Sequence, residues 1–269
     1  MLNGREKRQT WKRQNRKRDN FTKFFQNDVK EDYKDLTKEL VKVAEQTKGA
    51  EQRVIDFALT KAISDWSPQL KKTMQKNINM VMRDFGGEIF GEAKSLPGYM
   101  ETKANLKFDQ YVKKYLEQRT QNISTITNNN AKQVRRIVSE WTAQAAADGM
   151  SNEELSKFLQ MEFEELSEGN ARRIARTEVT AASQNGSLEA VKSLGIPNMT
   201  KEWVTAVDDR TRDGSKGGPD HAAMNGQVVG LDEKFTVPPD CDMDGPGAEG
   251  APAEQVINCR CCLVFKSNN

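Results

Sequence analysis

Ala171-Arg-Arg-Ile-Ala-Arg-Thr-Glu178, read together with Val207-Asp-Asp-Arg-Thr-Arg212 and Ile257-Asn-Cys-Arg-Cys261, decides the fold of this chain. The first run sits in a helical pattern from Asn170 to Leu194 that Gly195 and then Pro197 stop, as glycine and proline commonly do just past a helix end. Beyond Pro197 the period falls to two. Trp203, Thr205 and Val207 alternate with Val204 and Ala206, which predicts a strand. Gln227 to Val229, Phe235 to Val237 and Cys261 to Phe265 are further short strand candidates. Pro238 to Glu254, rich in Pro, Gly, Asp and Ala, reads as a loop, and loops of that length in a compact domain are usually functional, mobile or held by a partner. A helix packed on a small antiparallel sheet follows for residues 169–269.

Everything before that region reads as helix. Phe21, Phe25, Val29, Tyr33, Leu36, Leu40 and Val43 recur every three or four residues, the pattern of one long amphipathic helix ending near Gly49. Val54, Ile55, Ala58, Leu59, Ala62 and Ile63 define a second, from Glu51 to Trp66. Pro68 then predicts a restart, because proline is tolerated in a first turn, where its missing donor would be unpaired anyway. Leu70, Met74, Ile78, Met82 and Phe85 form the next stripe, and Gly86-Gly87 with Pro97-Gly98 bracket a hinge-like section. From Thr102 to about Ile123 a helix buries Leu106, Val112, Tyr115 and Leu116; Thr125 to Asn130 reads as a polar break before one presenting Val134, Ile137, Val138, Trp141 and Ala145. Ser151 and Glu154 have capping-box spacing, which starts a helix at Asn152, and Gly169 closes it. The fold class is mainly α with a C-terminal α+β domain: a basic arm (1–18), a helical region (19–168) and the α+β domain (169–269).

With 36% hydrophobic and 30% charged residues in 269, the chain is polar for a globular protein, which favours long, partly exposed helices. Its formal charge of +2 hides an asymmetry. Arg5, Lys7, Arg8, Lys12, Arg13, Arg16, Lys17 and Arg18 stand against Glu6 alone, so the first 18 residues carry +7 and the remainder −5. This run, either the first turns of the long helix or a disordered arm, is a candidate contact for nucleic-acid phosphates or an acidic protein surface. Trp11 and Phe21 are too sparse for base stacking. No run of about 18 apolar residues exists, which excludes a membrane-spanning helix, and no secretory signal is apparent, so synthesis and use in a cytoplasm are expected.

Arg173, Arg176, Glu178, Asp209, Arg210, Arg212 and Arg260 supply charges of both signs at a helix, a strand end and the closing strand. If the helix packs on the sheet, Glu178 meets an arginine such as Arg210 or Arg260, and the expected role of the set is structural, fixing register in a domain with few apolar residues. No nucleophile, phosphate loop or paired-histidine spacing accompanies them. All four cysteines follow residue 240, unlike an oxidised secretory framework. His221, Cys241, Cys259 and Cys261 offer the atom types of a tetrahedral zinc site, and Cys259 and Cys261 would share one face of a strand while Cys262 faces the other way. Buried reduced thiols and a hydrogen-bonding histidine are the alternative.

In this order and spacing the motifs resemble the C-terminal domain of phage minor head proteins, the phage Mu F-like head morphogenesis family, over roughly Ala171 to Leu263. The family pattern falls on Arg173, Arg176, Thr177, Glu178, Asn185, Trp203, Asp209, Arg210, Thr211, Arg212, His221, Gly226, Phe235, Asn258, Cys259, Arg260 and Cys261. Two departures stand out: Asp213 to Asp220 separates His221 from the Arg-Thr-Arg run, and Cys262 is an extra cysteine. The resemblance implies a low-copy structural protein inside the capsid of a tailed phage, assembled in the host cytoplasm. It would associate with the portal protein and capsid components during head assembly, and with packaged viral DNA. Some relatives carry toxin or enzyme domains after this one; here the last strand candidate closes at Phe265, and no second activity is expected. Two readings of other classes stay open: a nucleic-acid-binding protein with a zinc-stabilised C-terminal module, and a metal-dependent hydrolase or nuclease using Asp208, Asp209, His221 and Glu178.

Overall fold

The computed structural model describes residues 4–47, 50–94 and 101–267; the helix end expected at Gly49 and the Pro97-Gly98 pair lie outside them. Four long helices come first, α1 (Gly4–Thr47), α2 (Gln52–Ala93), α3 (Glu101–Asp148) and α4 (Asn152–Leu194). After them come β1 (Met199–Val204), β2 (Val228–Gly230), β3 (Phe235–Val237), β4 (Cys241–Met243), the short α5 (Ala253–Val256) and β5 (Cys262–Ser267). The fold is therefore mainly α with a C-terminal α+β region. The chain divides into two compact units, one made of residues 1–23, 78–117 and 175–269, the other of 24–77 and 118–174.

The all-helical unit explains why three expected breaks are absent. Pro68 lies inside α2, Thr125 to Asn130 inside α3, and Gly169 inside α4. Through Pro68 the buried stripe of Ile63, Trp66, Leu70 and Met74 keeps its register. A mid-helix proline costs about 3 kcal/mol, and burying each large apolar side chain contributes roughly 1.5–3 kcal/mol, so the stripe outweighs the lost donor. In α3 the hydroxyls of Ser124, Thr125 and Thr127 donate to carbonyls four residues back at 2.8, 3.1 and 2.8 Å, which absorbs their polarity without leaving the helix. Ser151 starts α4 as expected: Glu154 N donates to its Oγ at 3.2 Å, while its own N–H donates to Glu154 Oε2 at 2.8 Å.

In the other unit, Gly86 is a contact point rather than a hinge: a Cβ there would stand 2.3 Å from Cζ of Phe108. Phe108, with Ala104, Val112 and Tyr115, forms the buried face of this part of α3, and Leu106, expected inside, is 59% exposed because it lies off that stripe. Gly186 lets α4 approach α2 in the same way, since a Cβ would be 2.7 Å from the carbonyl oxygen of Met82. The three-stranded sheet has the order β2-β1-β5, all antiparallel, with Trp203 opposite Leu263 and Val204 opposite Cys262. A second ladder pairs β3 with β4, Val237 opposite Cys241. Cys241 thus lies on a strand, not in the loop expected from its Pro- and Gly-rich surroundings. The C-terminal half of α4 packs on the sheet through Gln184, whose Oε1 accepts the Leu263 N–H at 2.7 Å, and Leu188 joins Trp203, Met224, Phe235, Met243 and Leu263 in one core.

Candidate functional site

The entry to β5 is held from two sides. On α4, Thr180 Oγ1 donates to the Cys259 carbonyl at 2.9 Å, and Asn258 N, at φ +56, donates to Thr177 Oγ1 at 3.2 Å. On α1, Arg18 Nη1 donates to the Cys261 carbonyl at 2.8 Å and Nη2 to the Arg260 carbonyl at 2.9 Å. Trp11 Nε1 shares the Arg260 carbonyl at 2.9 Å, and Gln14 Nε2 reaches the Leu263 carbonyl at 3.1 Å. The Cys259, Arg260 and Cys261 carbonyls precede β5, so this turn is fixed by side chains rather than by regular structure.

Fixing that turn brings Cys259 and Cys261 against His221. All three are buried, and their ligand atoms lie within 4.8 Å of one another. His221 Nδ1 is 3.6 Å from Cys259 Sγ and 3.7 Å from Cys261 Sγ. The other ring nitrogen, Nε2, is 2.9 Å from Gln255 Oε1, and the Gln255 amide is oriented by its own Nε2–H, which donates to the Pro238 carbonyl at 3.4 Å. An amide oxygen can only accept, so Nε2 carries the proton and the Nδ1 lone pair faces the sulfurs. Zinc–sulfur and zinc–nitrogen bonds of about 2.3 and 2.0–2.1 Å at a tetrahedral angle give a sulfur–nitrogen edge of about 3.6 Å, so both sulfur–nitrogen distances match those of a tetrahedral zinc set. The same distances suit thiols hydrogen-bonded to imidazole.

The ring of His221 lies among aromatic side chains. Trp203 stands edge-on to His221 and to Phe235, with centroids 5.5 and 5.3 Å away. A hydrogen bond from Cys261 holds the Cys259 thiol well below the usual thiol range, while that bond and burial hold Cys261 above it. Cys262 faces away from this pair, and burial pushes its thiol up to about 12. Cys241 does not join the cluster: paired with Val237 on β4, it packs at the edge of the core, and burial there raises its thiol. The expected four-residue set is thus three residues in this structure.

Next to the cluster opens a cleft of about 520 Å³ lined by Arg18, Arg176, Arg210, Arg212 and Arg260, with Asp19 its single carboxylate. Arg260 is the anchor of one wall. Its two Nη atoms each lie 2.6 Å from a carboxylate oxygen of Asp208, and this fork holds Asp208 well below the usual carboxylate range. Arg212 donates to the Ile257 carbonyl at 2.5 Å.

Residues 136–264 match the model of the phage Mu protein F like family. The C-terminal part, just under half of the chain, is thus a Mu F-like region. No curated protein and no solved structure matches the chain. That family implies a phage head-morphogenesis protein, and among the described residues no helix is long and apolar enough to cross a membrane.

Within the Mu F-like region, Arg176, Arg210, Arg212 and Arg260 line one cleft, with Asp208 as the partner of Arg260. Arg176 and Arg210 form no ion pair among the described residues. Glu178 is buried, Asp209 is exposed on the turn beside Arg210, and Arg173 belongs to the helical unit, donating to Asn170 Oδ1 at 2.6 Å. Asp208, Asp209, His221 and Glu178 form no common metal-type group among the described residues. The basic N-terminal run is ordered helix. Lys7 pairs with Glu202, Lys17 with Asp84 and Glu88, and Arg13 with Glu92 at 3.8 Å, while Arg5, Arg8, Lys12 and Arg16 are exposed. Missed in the sequence were Trp11 and Gln14, whose spacing with Arg18 already places them on one helix face, and Gln255, which no motif marks.

Proposed function

We propose that this chain is a minor structural protein of a tailed-phage head, acting by binding rather than catalysis, docked at the portal vertex inside the capsid during assembly. The clasp of Arg18 on the Arg260 and Cys261 carbonyls carries this reading. It commits polar groups of the Mu F-like motif to holding shape, as a docking module requires and a turnover site with freely accessible groups does not. The exposed Arg8, Lys12 and Arg16, four residues apart on α1, suit contact with packaged DNA or an acidic ring of the vertex. His221, Cys259 and Cys261 hold a zinc ion in this reading, with one coordination position left for solvent or a further donor, and the ion staples β5 to the His221 loop.

Co-sedimentation is the test. The purified protein is expected to pellet with portal rings or procapsids; failure to do so, while a second minor capsid protein of the same particle does, overturns the assembly role.

A further inference from the structure

We propose that the arginine-lined cleft beside the His221 cluster is a seat for the phosphate groups of a nucleic-acid backbone. The inference takes from the head-assembly reading only the identity of the polyanion, and stands on geometry for the rest.

Charge is the first argument. Of the five guanidinium groups in the cleft, only Arg260 has a carboxylate partner among the described residues, Asp208. Arg18 and Arg212 donate to main-chain carbonyls, which satisfy hydrogen bonds but cancel no charge. Arg176 and Arg210 are exposed and unpaired among the described residues, against Asp19 in the cleft and Asp209 on the adjoining turn. Five guanidinium groups against Asp208, Asp19 and Asp209 leave a net excess of two positive charges around about 520 Å³, and a bound anion relieves their repulsion.

The second argument is an orphaned donor. Arg18 is 3% exposed, lines the cleft, and keeps its Nε–H buried without a hydrogen-bond partner among the described residues. A buried donor left unmade costs roughly 1–3 kcal/mol, which an acceptor reaching the Arg18 side chain would recover.

Shape and chemistry then select the ligand. The lining contains no aromatic ring on which a base could stack, and its neutral polar groups, such as Thr22 and Asn258, are of the kinds that contact phosphate and sugar. Planar forks favour bidentate oxyanions, which phosphate and carboxylate both provide. The extended shape of the charge decides between them. At 3.6 residues per turn, Arg8 and Lys12 of α1 fall beside the face that presents Asn15 and Asp19 to the cleft, so the positive track continues out of the cleft along the helix. A repeating polyanion fits such a track better than one side-chain carboxylate does.

The experiment measures binding of the full chain to a short mixed-sequence DNA duplex by fluorescence anisotropy over a range of salt. Arg176→Glu with Arg210→Glu changes only exposed, unpaired side chains, so its thermal melt should match the parent. Its affinity is expected to drop at least about tenfold, and the slope of log affinity against log salt to flatten by about two, one for each phosphate no longer neutralised. Unchanged affinity and slope overturn the proposal, as does poly-glutamate competing as well as DNA at equal charge, which would mark an acidic peptide as the ligand. Procapsid co-sedimentation of the same variant separates the two readings. A variant that assembles normally but binds DNA weakly supports the cleft, whereas a parent chain that binds DNA but never co-sediments sinks the assembly role alone.

Discussion

Arg18 and Cys261, 243 residues apart in sequence, are joined by a 2.8 Å hydrogen bond from a buried guanidinium to a main-chain carbonyl. The same side chain takes the Arg260 carbonyl at 2.9 Å, so one fork closes both acceptors. Replacing Arg18 with Ala is expected to destabilise the protein by about 3 kcal/mol, since hydrogen bonds to charged groups contribute roughly 1.5–3 kcal/mol and buried acceptors are left open. Lys at this position should recover little, because an ammonium does not reproduce the fork. Urea unfolding reads both, and an Arg18→Ala midpoint equal to the parent's contradicts the clasp.

Zinc content tests the cluster directly. Protein purified without chelator should carry about one zinc per chain if His221, Cys259 and Cys261 hold it. Cys259→Ser should lose the metal and Cys241→Ser should keep it, because Cys241 stands outside the group. Equal metal loss in both variants would return Cys241 to the ligand set, and zinc-free parent protein would leave the cluster as hydrogen-bonded thiols.

The Asp208–Arg260 fork makes a prediction about acid. Because the folded carboxylate of Asp208 titrates below its unfolded value, it adds stability above the ordinary carboxylate range near ~3.9, and that contribution fades as pH falls through the lower folded value. The stability difference between the parent and Asp208→Asn should be constant at neutral pH and shrink on acidification below roughly pH 4. A difference that instead shrinks toward alkaline pH reverses the sign and refutes the pairing.

Two adjacent glycines in α2 should respond oppositely to the same substitution. Gly86→Ala drives a methyl into the Phe108 ring and should cost about 1–3 kcal/mol. Gly87→Ala meets nothing within 4 Å and should stabilise by about 0.5–1 kcal/mol through helix propensity. Thermal melts of the pair decide the matter, and equal shifts would mean that the helices are not in contact at Gly86.

The helical stripes are legible because burial imposes a period that survives in the residues: Phe25, Val29, Tyr33, Leu36 and Leu40 of α1 are all buried as their spacing implies. Local break signals mislead. Pro68, Thr125 to Asn130 and Gly169 each carry a local preference against helix, yet the apolar register on either side runs on, and tertiary burial outweighs a local cost of a few kcal/mol. At the candidate site the arginine motifs can be seen to belong together, but which carboxylate pairs with Arg260 depends on the turn at Asp208, which no spacing encodes. Cys241 qualifies as a ligand by atom type alone; its strand pairing with Val237 keeps it out of the group. The basic run hides a division of labour, since Arg18 and Lys7 face partners while Arg8 and Lys12 face solvent, and composition cannot separate faces of a helix.

The clasp of α1 on the strand entry also sets a schedule for synthesis. Trp11, Gln14 and Arg18 leave the ribosome early, yet the carbonyls they hold belong to Arg260, Cys261 and Leu263. Until those residues emerge, the first helix has no acceptor for its buried guanidinium, and the module cannot lock. A chain that ends before β5 is therefore expected to lack this clasp and to be less stable than the full one.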